Sequence, residues 1–240
     1  MAGAAATTNA DTVEFVATFD ESVAPVAAGD FDVSGTATST GLSVSGTGST
    51  HTVTVTGVAG DGSLRVDFDD DGSVTDAAGN AVTPAQHIGD QSYTIDNTDP
   101  AITLTPVGTP TSDNTPSLTG SAGIAAGDAT SVTVTVYGGS DTTGPEVQTL
   151  TAPVASGAYS VDASSLTDGI YTAQATQTDS AGNTGVSLAS TFTIDVTDPN
   201  VALTAVASPT GDTTPTFTGS AGTAASDAAK VTVTVYDGPD

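Results

Sequence analysis

The 240-residue chain is 37% hydrophobic, which is lean but sufficient for ordinary cores in units of about 100 residues. Two basic residues, Arg65 and Lys230, stand against 28 acidic ones, three of them Glu, for a formal net charge of −26. That balance excludes a nucleic-acid partner, because phosphate affinity depends on Lys and Arg displacing counterions, and it disfavours docking on anionic lipid headgroups.

From the N-terminus, period-2 alternation of β-branched and polar residues predicts strands at 12–19 ("TVEFVATF"), 30–37, 42–46, 51–57, 64–69 and 91–96. Six strands are visible, and none is evident before Thr12. A second series follows at 101–107, 115–121, 131–137, 146–151, 157–162, 170–177 and 188–195. Val132, Val134 and Val136 alternate with Thr133, Thr135 and Tyr137, and Tyr171, Ala173 and Ala175 alternate with Thr172, Gln174 and Thr176. "LTDGIY" at 166–171 fits a tyrosine corner, in which the Tyr171 hydroxyl bonds back to the backbone, as well as a plain buried Tyr after a turn. Turn residues recur every 8 to 15 positions, the rhythm of a β-sandwich.

Sliding the sequence against itself by 99 residues aligns "IDNTDP" (95–100) with "IDVTDP" (194–199), "TPSLTGSAG" (115–123) with "TPTFTGSAG" (214–222), and "VTVTVY" (132–137) with "VTVTVY" (231–236). Three matches in one register without an insertion indicate tandem duplication. The expected fold is all-β, a series of tandem immunoglobulin-like β-sandwich domains. The expected boundaries are 1–97 for a divergent first unit, 98–196 for the second, and 197–240 for the N-terminal part of a third. Three strands cannot close two facing sheets, so Phe217, Val231, Val233 and Val235 are expected to be wet, and the chain is expected to be a segment of a longer array.

The two "ID-x-TDP" junctions, the "TP-x-(L/F)-TGSAG" strand and "DGIYTAQATQTDSAGNTG" (168–185) resemble the bacterial immunoglobulin-like tandem repeats of large surface adhesins and biofilm-associated proteins. The likeness covers 97–240 well and the first unit more loosely. It implies a structural stalk or spacer of a repetitive extracellular protein, with neighbouring repeats or subunits of the same protein as partners and cell-surface or matrix ligands reached through parts outside this chain. The alternatives are a subunit of a surface layer or extracellular filament, or a ligand-binding module for a glycan or protein. Few outward aromatics are visible, Tyr137 and Tyr236 being the candidates, which favours the stalk.

The repeated hexapeptide places strong oxygen donors at each joint, and its Pro stops the strand and restricts the linker. The loop after the sixth strand lies at the end where the chain enters, so Asp179 and Asn183 of "DSAGN" are expected to face Asp96 and Asp99. Asp195 and Asp198 are the equivalent pair at the next joint. Calcium takes six to eight oxygens of this kind, and the resemblance implies calcium-stiffened junctions; Asx turns explain the same residues without an ion. In "DFDDDGSVTDAAGN" (67–80), Asp67, Asp69, Asp71 and Gly72 follow a calcium-loop order, but Ala78 stands where an EF-hand needs Glu and a strand pattern precedes it. A looser site from Asp69, Asp71 and Asp76 competes with a reading of Asp67 and Asp69 as the wet face of a strand.

No Cys is present, so disulfides and thiolate metal sites are excluded. His51 and His87 have no nucleophile or metal motif beside them and are expected to be exposed and inert, so no enzyme is expected. No apolar run approaches the ~18 residues of a membrane helix, so no membrane insertion is expected here. "MAGAAATTNA" does not read as a complete secretion signal, and the export address of an extracellular protein is expected elsewhere.

Overall fold

A computed structural model describes residues 6–224 and 227–238. Its regular structure is strand, apart from a one-turn 3-10 helix at Ala28–Asp30. In the first unit these strands are β1 (Ala6–Thr8), β2 (Thr12–Thr18), β3 (Val23–Ala24), β4 (Phe31–Gly35), β5 (Gly41–Thr47), β6 (Thr50–Thr56), β7 (Gly62–Asp69), β8 (Thr75–Asp76), β9 (Gln86–His87) and β10 (Ser92–Ile95). One sheet runs β2-β6-β5 and the other β1-β10-β7-β4, with β9 added to the end of β7. Val13, Phe15, Val53 and Val55 from the first sheet meet Phe31, Leu64, Val66 and Ile95 from the second in one buried cluster. Alternate residues point to opposite faces of a strand, so the period-2 letters become the inner wall of this sandwich.

Two features of this unit differ from expectation. A first strand does exist: β1 lies parallel to β10, Ala6 opposite Tyr93 and Thr8 opposite Ile95. Its three residues, "ATT", are too short to show alternation and carry no large apolar residue. His51 is buried, on the inner face of β6, with Nε2 3.1 Å from the Gly48 carbonyl and its ring edge-on to Phe19. Positions 51, 53 and 55 share a face, and that face is the core one. His87 is exposed, 3.8 Å from Asp90.

The second unit contains β11 (Ser117–Ser121), β12 (Ser131–Gly138), β13 (Glu146–Pro153), β14 (Ala158–Asp162), β15 (Gly169–Thr178), β16 (Thr184–Val186) and β17 (Ser190–Ile194). β11 pairs with β14; the facing sheet runs β13-β12-β15, with β16 and β17 along the far edge of β15. The expected strand at 101–107 is not a regular strand. Thr103 and Thr105 donate to the Ser121 and Thr119 carbonyls, and the chain then crosses so that Thr111 pairs in parallel with Ile194 on the other sheet. Pro106 and Pro110 lack the N–H donors that an uninterrupted ladder needs. Leu118, Val132, Val134, Val136, Ala173, Ala175, Phe192 and Ile194 form the centre of the core. The Tyr171 hydroxyl donates to the Thr167 carbonyl at 3.0 Å, which completes the tyrosine corner.

After residue 197, β18 (Val201–Leu203) pairs with β19 (Gly219–Ala221). The expected strand at 231–236 is not formed, and Val231, Val233 and Val235 are exposed, as is Phe217. The same letters at 132–137 form β12 because β13 and β15 bond it on both sides; no described strand flanks 231–236.

The two cores share no residue, which leads to a direct expectation. Leu118→Ala should destabilise the second unit by about 2–5 kcal/mol, the usual cost of truncating a fully buried Leu, and leave the first unit's urea transition in place. A common shift of both transitions, followed by amide exchange, would show that the units unfold as one.

Candidate functional site

The hexapeptide's repetition has a structural cause. Asp96 Oδ1 accepts the Thr98 N–H at 3.1 Å, which folds the phrase into a turn. The Thr98 hydroxyl and the Asn97 N–H then both donate to Asp61, at 2.6 and 2.7 Å. Ninety-nine residues on, Asp195 accepts the Thr197 N–H at 3.1 Å. The Thr197 hydroxyl and the Val196 N–H donate to Asp168, at 2.5 and 2.8 Å. Each unit's exit is therefore latched to the Asp of an Asp-Gly pair that opens a long strand, β7 or β15. Sequence reading missed Asp61 and Asp168 as functional residues; their shared place in "DG" ahead of an alternating run was the available signal. The Thr98 hydroxyl and Asn97 N–H hold the Asp61 carboxyl below its ordinary 3.8, and the Thr197 hydroxyl and Val196 N–H do the same for Asp168.

The "DSAGN" loop builds the other half of the first joint. Asp179 Oδ1 accepts the N–H groups of Ala181, Gly182 and Asn183 at 2.8–2.9 Å, and Oδ2 accepts the Asn183 side-chain amide at 2.7 Å. Burial opposes the Asp179 charge, but the Asn183 amide and the backbone donors prevail and hold its carboxyl low. So braced, Asn183 is 7% exposed and reaches across the joint. Its Nδ2 donates to the Asp96 carbonyl at 2.8 Å, and its Oδ1 accepts from Asn9 Nδ2 at 3.0 Å. Asn9 N–H adds a bond to the Ala181 carbonyl at 3.2 Å. One side chain thus holds both the exit of the first unit and the segment after β1. The linker itself is pressed in at Pro100, which is buried; a Cβ on Gly185 would stand 1.9 Å from the Pro100 carbonyl oxygen, so only glycine fits there.

The structure accordingly brings Asp96, Asp179 and Asn183 together, through a backbone carbonyl and an amide, while the Asp179 carboxylate turns into its own loop. Asp99 and Asp198 are exposed. Asp195 and Asp198 line an open cleft of about 270 Å³ with Thr111, Ser112 and Asp227. Asp69, Asp71 and Asp76 are not gathered into one site: Asp69 accepts from Gln86 Nε2 at 2.7 Å, and Asp76 caps its own loop through Ala78, Asn80 and the Asn80 amide. Asp71 sits instead with Asp30 and Asp70, two residues the motif did not single out. The Asp76 cap repeats the Asp179 cap, yet residues 77–80 are exposed where Ala181 and Asn183 are buried.

Residues 107–196 match the family model of the bacterial Ig-like domain. The second unit is a bacterial Ig-like domain. No curated protein matches the chain. Among solved structures, the chain is similar to the fibronectin(III)-like modules of Clostridium thermocellum CbhA, with TM-score 0.39 and 12% identity over 80% of this chain and 90% of that one. It is also similar to the BSP domain of a biofilm-associated protein, with TM-score 0.28 and 16% identity over 81% of this chain and 29% of that one.

Within the Ig-like domain, Asn183→Ala removes the bridge without touching the core. Amide exchange should rise at 6–10 and 96–100 while β12 and β15 stay protected; a uniform loss of protection would contradict a role confined to the joint. The latches carry a pH signature. A carboxyl whose folded pKa lies below its ordinary value contributes stability that is present above that ordinary value and lost as pH falls through the folded one. In an NMR titration the Asn97 amide should follow the Asp61 carboxyl, with a midpoint below 3.8. Asp61→Asn should abolish that response and leave the equivalent one at Val196 intact.

Proposed function

We propose that this chain is a spacer segment of a repetitive extracellular bacterial surface protein, in which Ig-like units are held end to end to project or build a surface structure, and not an enzyme. The observation that carries the reading is the Asn183 bridge: a buried side chain spent on two segments of the preceding unit serves no purpose in an isolated module. The latches at Asp61 and Asp168 support it, because each fixes the direction in which the chain leaves a sandwich. The exposed 76–80 loop, capped like the docked 179–183 loop, supports further head-to-tail contacts with another unit of the same kind, as in a filament or surface layer. Neighbouring repeats or subunits are then the primary partners.

Calcium at the joints is the finer part of the proposal. Asp96 and Asp99 at the first joint, beside the Asp179 and Asn183 loop, and Asp195 and Asp198 at the second, are the residues proposed to hold an ion, completed by carbonyls and water. An ion that binds only the closed joint adds about 2.7 kcal/mol at a hundredfold excess over Kd. The second reading, a ligand-binding module, has one observation in its favour: an apolar cleft of about 280 Å³ in the first unit, lined by Phe15, Phe19, Phe31, Phe68, Pro84 and His87.

Two measurements test the proposal. Antibodies to the first unit should label intact cells, and external protease should remove the label; labelling confined to permeabilised cells overturns the surface role. Small-angle scattering of the full chain should show a narrower spread of inter-unit distances with calcium than with chelator, and Asp96→Ala with Asp99→Ala should erase the difference. Identical curves in both conditions remove calcium from the joint and leave the spacer reading to the first test.

A further inference from the structure

The first unit contains a cluster that neither the joints nor the cores require. Asp30 ends the 3-10 turn between β3 and β4, and its Oδ2 accepts the Ala27 N–H at 2.7 Å. Asp70 and Asp71 follow β7 directly. One carboxylate oxygen from each of the three lies within 4.8 Å of the others, and Asp30 and Asp70 are each only 5% exposed. Asp70 Oδ1 accepts the Ser73 N–H at 3.0 Å, the Ser73 hydroxyl at 3.2 Å and the Val74 N–H at 3.2 Å. Asp70 Oδ2 is buried with no hydrogen-bond partner among the described residues. The Ser73 hydroxyl, with one proton, also lies 3.3 Å from Asp30 Oδ1, so it cannot satisfy both acids.

We propose that Asp30, Asp70 and Asp71 form a calcium site at this end of the first sandwich. A buried carboxylate oxygen beside two further carboxylates needs either a proton or a cation. No basic side chain supplies the charge: Arg65 is bound to Asp67 at 2.9 Å, and Lys230 is exposed, outside the first unit. An all-oxygen set without His or Cys selects a hard ion over zinc. Carboxylate oxygens within 4.8 Å of one another can share one ion, and an irregular set of this kind suits calcium, which takes six to eight oxygens in flexible geometry, better than magnesium, which demands a near-ideal octahedron and gives up its water reluctantly. The remaining ligands are carbonyls and water.

The site has a consequence for the strand connection it holds. Asp30 belongs to the segment between β3 and β4, and Asp70 and Asp71 begin the long connection from β7 to β10. The cation cross-links the segment that follows β3 to the one that precedes β8, the two strands that pair with Val23 opposite Asp76. It thereby anchors the connection whose next residues are the exposed 76–80 loop. This site is independent of the joint calcium proposed above.

The test is calcium titration of the metal-stripped full chain by calorimetry, with melting and the Ser73 and Val74 amide signals as second readouts. Wild type should bind calcium at least tenfold more tightly than magnesium, and the Ser73 and Val74 signals should move on calcium addition. Asp71→Asn, at an exposed position that leaves folding intact, should weaken this site at least tenfold, and Asp70→Asn should do the same if it folds. Asp96→Ala with Asp99→Ala should leave the Ser73 and Val74 response unchanged. Calcium binding lost only in the Asp96 and Asp99 variant overturns the site while sparing the joint; binding lost only in Asp71→Asn sustains the site and removes the joint calcium. No calcium response at Ser73 and Val74 overturns the proposal outright.

Discussion

A protein with 28 acidic residues and two basic ones cannot neutralise its carboxylates with ion pairs, so each structurally engaged one must find N–H and O–H donors. Among the described residues a single carboxylate, Asp67, pairs with an Arg. Asp61 and Asp168 hold segments far along the chain, and several others fold short stretches of backbone around themselves. Asp76 and Asp179 each gather N–H groups and an Asn amide from the four residues that follow, and Asp96 and Asp195 each take the N–H two residues on. Asp, with its short side chain, suits this work better than Glu, which explains why all but three of the acids are Asp.

The same chemistry extends from loop to joint. Once Asp179 has fixed the 179–183 loop, Asn183 is held rigid and can spend both ends of its amide on the neighbouring unit. Once Asp96 has bent the hexapeptide, Thr98 is positioned for Asp61. The contacts at the joint thus rest on hydrogen bonds whose partners are ordered locally beforehand, which lowers the entropy cost of assembling it. Asp70 is the exception that marks a different chemistry, because its second oxygen is buried and has no donor among the described residues.

Much of this was legible in the letters. Val132, Val134 and Val136 announced an inward face, "LTDGIY" fitted a tyrosine corner as well as a plain buried Tyr, the 99-residue register pointed to 95–100 as a joint, and the position of the 179–183 loop after a long strand placed it there too. The details of that joint were less legible. Repetition identified the acids but not their donors, because Asn9, Asp61 and Asp168 lie far away along the chain or outside the repeated phrase. β1 escaped because three small residues carry no periodicity, and buried His51 escaped because its type is as common on surfaces as in cores.

The sequence by itself determined the strand letters, the all-β class, the repeated exits and the shortage of cations, since each is a property of local pattern or composition. Only the tertiary structure decided which acids meet. Asp30 and Asp70 come together because the turn before β4 and the connection after β7 fall at one end of the same sandwich, which no spacing records. It also decided where identical letters become a strand: "VTVTVY" at 132–137 is paired between β13 and β15, and at 231–236 it is exposed with no flanking strand among the described residues. The reason is physical: a strand's backbone donors and acceptors are satisfied by its neighbours and not by itself, so alternation supplies the face and tertiary pairing supplies the strand.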